Sequence, residues 1–338
     1  MPVQQIDTAV HREVIQKLSE KLKANYVFPD VAEQICVRLQ KQLDNGDYAH
    51  LTNGKHFAYT LTKLLQSVNQ DEHLWVRWHP DPLPDDEGSL LRNEERIVAL
   101  REQARLENYG IHKVERLAGN VGCVDIRYFY RPSLGSGETA VSAMNFLTHT
   151  NALVIDLRQC RGGNPGMVAL ISSYFFDGEP THLNSLYWRD EDFTQQYWTL
   201  PYVPGQRYGD KPVYLLTSPT TFSAGEEFAY NLQTRQRATL IGEAAGGAAH
   251  PGSPFCLHPH FEAFIPLGKA INPITNDNWE GRGVIPDIAI TPEKALSAAY
   301  RLALGSIIES IGKPLSHPLA KLLDEAQAAL AKIDVHSE

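Results

Sequence analysis

Apolar residues recur at helical spacing through residues 8–68. Val10, Val14, Ile15, Leu18 and Leu22 share one face, and Phe57, Leu61, Leu64, Leu65 and Val68 share another. Between them, Asp30 and Glu33 read as a capping box that opens a helix running to Leu43, with breaks at Gly46 and Asn53-Gly54. The pattern predicts a small helical bundle. It changes at Asp71: Leu74 to Trp78 reads as a strand with His73 at its start, and a polar, Pro-rich loop covers 81–89. Leu90 to Leu106 is charged and fits neither template. Lys113–Leu117 and Val121–Ile126 read as strands across a Gly119-Asn120 turn. From Thr139 the rhythm becomes α/β. A helix over Ala140–Leu147 precedes the apolar run Ala152–Leu157, the signature of a strand covered on both faces. A helix from about Met167, a second buried strand over Val213–Leu216, a third over Ala238–Ile241 and a hairpin over Phe255–Leu257 and Glu262–Pro266 follow. One or two Ala- and Leu-rich helices close the chain over 293–334. The segmentation predicts residues 1–70 as a helical domain, 71–292 as an α/β core and 293–338 as a closing helical segment.

Two strand-to-helix junctions carry the candidate chemistry. The run Val213 to Leu216 leads through Thr217-Ser218-Pro219-Thr220-Thr221 to Phe222-Ser223-Ala224-Gly225 and a helix. A serine at such a junction is presented at the sheet edge, beside helix N–H groups that lack intrahelical partners and can receive a developing oxyanion. Ser223 is equally readable as a helix N-cap, with Glu226 completing a capping box. At the other junction, Gly162-Gly163 lets backbone N–H groups approach a substrate with no Cβ in the way, or is a tight turn that needs positive φ.

Composition narrows the classes. The 338 residues carry a formal charge of −9, against the basic face that sequence-independent nucleic-acid binding requires. No apolar run approaches the ~20 residues of a membrane span. The start lacks the basic and apolar regions of a signal peptide, and the four cysteines, Cys36, Cys123, Cys160 and Cys256, show no CxxC spacing; both point to a cytoplasmic protein with reduced thiols. No phosphate or dinucleotide loop is present. His258 and His260 alternate on a strand without a third ligand, so neither a metal nor a cofactor is expected. Lys269 reads as solvated, and Trp75, Trp78 and the Tyr-rich segments 128–130 and 187–202 as core or cleft lining.

Six segments in order resemble the tail-specific (C-terminal-processing) serine protease superfamily, in the branch that contains interphotoreceptor retinoid-binding protein and its bacterial relatives. They are Asp71-Glu72-His73-Leu74, Gly119-Asn120-Val121-Gly122, Asp156-Leu157-Arg158 through Gly162-Gly163, Thr221 through Glu226, Gly242-Glu243, and Asn272-Pro273 through Trp279-Glu280-Gly281-Arg282-Gly283-Val284 to Pro286-Asp287. The resemblance implies a ββα-spiral core of the crotonase/ClpP type packed against an N-terminal helical domain. It also implies Ser223 as nucleophile and an oxyanion hole from the N–H groups of Gly162 or Gly163 and of Ala224.

Two departures change the expected mechanism. The processing proteases place a lysine base on the loop after the nucleophile helix. Here that loop reads Gly242-Glu-Ala-Ala-Gly-Gly-Ala-Ala-His250, and the matching position is about Ala248, with only His250 basic nearby. The interval from Pro80 to Leu117 is also too short for their inserted PDZ domain. A second arrangement, that of the tricorn core protease and its relatives, pairs the serine with a histidine and a glutamate, and His73 and Glu280 match those positions. A neutral imidazole would take the serine proton while a carboxylate fixes its tautomer. The leading expectation is a serine peptidase acting on peptide or protein substrates, bound in extended form as an added strand. The alternative is a catalytically inactive retinoid-, lipid- or peptide-binding protein on the same fold. A third reading, an α/β-hydrolase elbow at Thr221–Gly225, requires an acid and a histidine downstream, and His250, His258, His260, His317 and His336 have no helpful context.

Overall fold

The computed structural model describes residues 5–83, 94–313 and 316–335. Most of the loop read over 81–89 lies outside the described residues. The chain divides into two compact units. The first comprises Met1–Arg101, Ser185–Gln195 and Ala248–Ile271; the second comprises Glu102–Asn184, Gln196–Gly247 and Asn272–Glu338.

In the first unit the expected helices form over Thr8–Asn25, Pro29–Asp44 and Gly54–Asn69. Asp7 caps the first by accepting the N–H groups of Ala9 and Val10, and Asn53 caps the third through Lys55 and His56. The second begins differently from the expected Asp30–Glu33 box. Pro29 is its first residue and Phe28 its N-cap, with no side-chain cap bond. Proline's fixed φ suits the first helical position, and its missing N–H would have been unpaired there anyway. Trp75–Trp78 pairs antiparallel with Phe261–Pro266, which pairs with Gly252–His258. The apolar stripes and this sheet bury one core, including Val14, Leu18, Ile35, Phe57, Leu61, Phe255 and Phe261. Gly268–Ile271 pairs antiparallel with Ser185 to Trp188, a pairing the hydrophobic pattern had not announced.

The second unit is organised on a six-stranded sheet in the order Ile288–Ala289, Thr239–Gly242, Val213–Thr217, Ala152–Asp156, Val121–Ile126, Ile111–Leu117. All neighbours are parallel except the last pair. Val213–Thr217 is buried at every position, as a central parallel strand covered on both faces must be. Helices Ser136–Leu147, Pro165–Ser172 and Ala224–Thr234 follow the strand units, and Pro292–Ile311 and His317–Val335 close the chain. Ala295, Ala299 and Ala303 recur at helical spacing in the core with Val154, Leu216 and Ile241. Arg158 fixes the start of that closing segment: it grips both oxygens of Asp156 at 2.9 and 2.6 Å and donates to the Pro292 carbonyl at 2.5 Å. Among the described residues no helix is long and apolar enough to cross a membrane.

Candidate active site

In a parallel sheet the loops at the carboxyl ends of the strands are where ligands meet the protein. The loop after Ala152–Asp156 carries Gly162-Gly163, and the loop after Val213–Thr217 carries Ser223. Short polar side chains stitch the two loops together. Thr221 Oγ1 donates to the Leu157 carbonyl at 2.8 Å, Ser218 Oγ to the Arg158 carbonyl at 2.6 Å, and Phe222 N–H to the Cys160 carbonyl at 3.0 Å. Their burial makes these bonds costly to lose, so the serine junction is held against the glycine junction.

Ser223 closes the turn with φ 52° and ψ −119°. A non-glycine residue held at positive φ stores strain of order 1–3 kcal/mol and persists only where its surroundings over-determine it. Here they do. Glu226, fully buried, accepts the Ser223 N–H on Oε2 at 2.9 Å, forming its half of the capping box. The same carboxylate accepts the Gly247 N–H on Oε1 at 2.7 Å, a second role that the sequence did not reveal. Gly247 in turn accepts the Gly281 N–H on its carbonyl at 2.9 Å. This chain of bonds ties the Ser223 turn to the segment that carries Glu280, whose own N–H is held by Asn278 Oδ1 at 3.0 Å. The neighbouring Trp279 is buried and tilted on Tyr230.

Gly162 faces the serine, and Gly163 packs on the Phe129 backbone. Gly162 and Gly163 have φ of 107° and 135°, a region that side chains with a Cβ resist. Gly163 forms a bridge with Phe129, with the Phe129 carbonyl accepting Asn164 N–H at 2.7 Å and Phe129 N–H donating to Gly162 at 2.8 Å. A Cβ on Gly162 would lie 2.8 Å from Ser223 Cβ and 3.3 Å from Oγ. The N–H of Gly162 favours the Cys160 thiolate, but burial dominates and pushes that thiol up to about 12, so Cys160 stays a neutral thiol beside the serine turn. Neither Gly163 nor Ala224 directs its N–H to an acceptor among the described residues. Gly162→Ala is expected to slow phosphonylation of Ser223 by a fluorophosphonate probe about 100-fold, because the added methyl crowds the serine and displaces the neighbouring donors, an effect on the scale of one misaligned donor, with only a few degrees lost in Tm. Labelling at the wild-type rate would show that the glycine's bareness is irrelevant to the serine.

His73 belongs to the first unit, at the entrance to Trp75–Trp78. It is 7% exposed, its ring stacks on Phe264 with centroids 5.7 Å apart, and its N–H donates to Asp71 Oδ1 at 3.1 Å. Burial lowers its pKa to about 4; the nearby Asp71 charge opposes the shift and His250 adds to it. Asp71 is fully buried. Its Oδ2 accepts the Tyr26 hydroxyl at 2.8 Å and pairs with His250 Nδ1 at 2.9 Å. In the sequence His250 stands out as the basic residue near the position of the family's lysine and as one of the late histidines, with nothing to link it to Asp71, while Ala248, at the lysine position, is buried. The structure therefore gathers Ser223, Gly162, Gly163, Ala224 and the Glu280 segment in the second unit, and His73 with Asp71 and His250 in the first.

Comparison with known proteins agrees with this architecture. The model for the family described as Peptidase family S41 matches residues 120–290. The model described as the N-terminal domain of Peptidase_S41 in eukaryotic IRBP matches residues 6–105. Among solved structures, a putative peptidase from Parabacteroides merdae ATCC 43184 is similar at 19% identity and a TM-score of 0.57, covering 88% of this chain and 96% of that one. A lipoprotein from Streptococcus agalactiae is similar at 12% identity and a TM-score of 0.56, with 88% and 96% covered. A photosystem II D1 C-terminal processing protease follows at 12% and 0.50, with 84% and 94% covered. At these identities the structural likeness speaks for the fold, a mixed helix-and-sheet core with an N-terminal helical region. The family match covers half of the sequence, and the chain belongs to peptidase family S41.

Proposed function

We propose that the protein is a serine peptidase that cleaves peptide bonds through an acyl-enzyme on Ser223. The observation that carries this reading is the strained backbone of Ser223, held at a strand-to-helix junction by a buried carboxylate, with Gly162 beside its side chain. A merely structural cap does not need positive φ; a nucleophile turned outward beside helix N–H groups does. In the proposed reaction Ser223 Oγ attacks the scissile carbonyl and His73 takes its proton. The oxyanion is received by the N–H groups of Gly162 or Gly163 and of Ala224. His73 then gives the proton to the departing amine, and water resolves the ester by the reverse route. Glu280 orients the imidazole and stabilises its charged form. Family membership supports the reaction class, and the apolar, buried Ala248 at the expected lysine position favours the histidine base over a Ser–Lys dyad.

The test is a pH profile of kcat/KM on a peptide library substrate, with intact-mass detection of the acyl adduct. Because burial holds His73 neutral down to about pH 4, activity should stay level through pH 5–7 and fall with a midpoint near 4. It should not fall near the ordinary histidine value of about 6.5. An acyl adduct on Ser223 that needs His73 supports the reading. A folded protein that forms no adduct with any peptide ester overturns it.

A further inference from the structure

Beneath His73 lies a buried polar cluster that the proposed reaction does not use. Asn69 Nδ2 donates to the Tyr26 hydroxyl at 2.6 Å, and Tyr26 donates to Asp71 Oδ2 at 2.8 Å. His250 Nδ1 meets the same oxygen at 2.9 Å, and the backbone N–H of His73 meets Oδ1 at 3.1 Å. The Asp71 carbonyl also accepts Leu74 N–H at 3.1 Å. Phe28 packs edge-on against His250, with centroids 5.1 Å apart, and seals the cluster. An ionised Asp71 accepts from the Tyr26 hydroxyl, from His73 N–H and, in the tautomer that carries the proton on Nδ1, from His250. A charge placed in such surroundings is expensive unless it is paired and hydrogen-bonded, and here it is both. The pair also sets His250: for Nδ1 to donate to Asp71, its proton must sit on that nitrogen.

We propose that Asp71, held by Tyr26 and His250, is a positioning residue for His73: it fixes the turn that carries the imidazole and places a buried carboxylate beside it. The inference rests on His73 being the base. Asp71 clamps both ends of the turn, His73 N–H through its side chain and Leu74 N–H through its main chain, so the ring enters the following strand in one orientation. Its charge works against the burial that depresses the imidazole, and the charge that His250 gains on protonation works with that burial. The titratable groups to reckon with are Asp71 on the same turn, His250 from the segment before Gly252–His258, Glu72 next in sequence, and Glu280 in its proposed orienting role.

The two neighbours should move the base in opposite directions, which a simple packing defect would not do. The experiment follows the rate of fluorophosphonate inactivation against pH from 3.5 to 8 in the full chain. Asp71→Asn should lower the plateau roughly 10- to 100-fold, within the span that base catalysis supplies, and move the acid limb to lower pH. His250→Gln can still donate to Asp71 but cannot gain charge. It should keep the plateau within about 3-fold, since the base itself is intact, and move the limb to higher pH. If Asp71→Asn does not fold, the direction of the His250→Gln shift alone decides. Limbs that stay in place, or move the same way in both variants, overturn the proposal. A wild-type limb that persists in His73→Ala would instead show that the base reading itself fails, and the positioning role with it.

Discussion

Replacing Ser223 with alanine is expected to reduce peptide hydrolysis by at least about 10⁴-fold, the scale on which removal of a serine nucleophile acts. The fold should survive. Ser223 is half-buried, and the substitution removes only the serine's own half of the capping box, while the bonds through the Glu226 carboxylate, Thr221 and Ser218 remain. Alanine inherits the positive φ of 52°, so Ser223→Ala keeps the strain. Ser223→Gly is expected to lose activity equally but to relax the backbone, and should be more stable to denaturant than Ser223→Ala by about 1 kcal/mol. The pair separates chemistry from conformation: equal loss of hydrolysis with unequal stability. If alanine retained hydrolysis within 10-fold of wild type, the nucleophile would have to lie elsewhere.

The second large effect concerns stability, one helical turn beyond Ser223. Glu227 is almost completely buried, and its Oε1 has no hydrogen-bond partner among the described residues. Burial pushes its carboxyl up to about 8 from 4.5, although the neighbouring amides of Asn184 and Asn231 pull the other way. Those amides carry unpartnered atoms themselves, so their help is weak and desolvation dominates. The folded pKa lies above the unfolded one, so the stabilising contribution is fully present below about pH 4.5 and is lost as pH rises through 8. At 1.36 kcal/mol for each unit, the loss approaches about 5 kcal/mol by pH 8. Glu227→Gln removes the titration. It should match wild type within about 1 kcal/mol at pH 4.5 and exceed it by several kcal/mol at pH 8 in urea unfolding. Parallel pH dependence in the two proteins would mean that Glu227 is charged and paired in the fold.

Much of this arrangement was legible because the physics behind it is local. Ala152–Leu157 and Val213–Leu216 stand out as unbroken apolar runs because both faces of a central parallel strand are covered. Ser223 and the Gly162-Gly163 pair stand out because short polar and bare residues must follow such strands where the chain turns into a helix. What escaped was non-local or broke the alternation. His182–Trp188 carries Asn184 and Ser185 at buried positions, and Phe193–Trp198 is mostly exposed, so neither presents a strand's pattern of polarity. The second bond of Glu226 reaches a loop 21 residues away, and Asp71 meets His250 across 179 residues. No spacing rule spans such distances. Pro29 as the first residue of its helix is hidden for the opposite reason: Asp30 and Glu33 offer a competing local signal, and the fixed φ of proline prevails.

The central claim is that Ser223 is an activated nucleophile. It is tested most directly by treating the folded protein with a fluorophosphonate probe at pH 7 and mapping the adduct by peptide mass spectrometry. The account predicts one covalent adduct, on Ser223, absent in Ser223→Ala and strongly slowed in His73→Ala. A folded wild-type protein that takes up no probe, or takes it up at another residue, would contradict it.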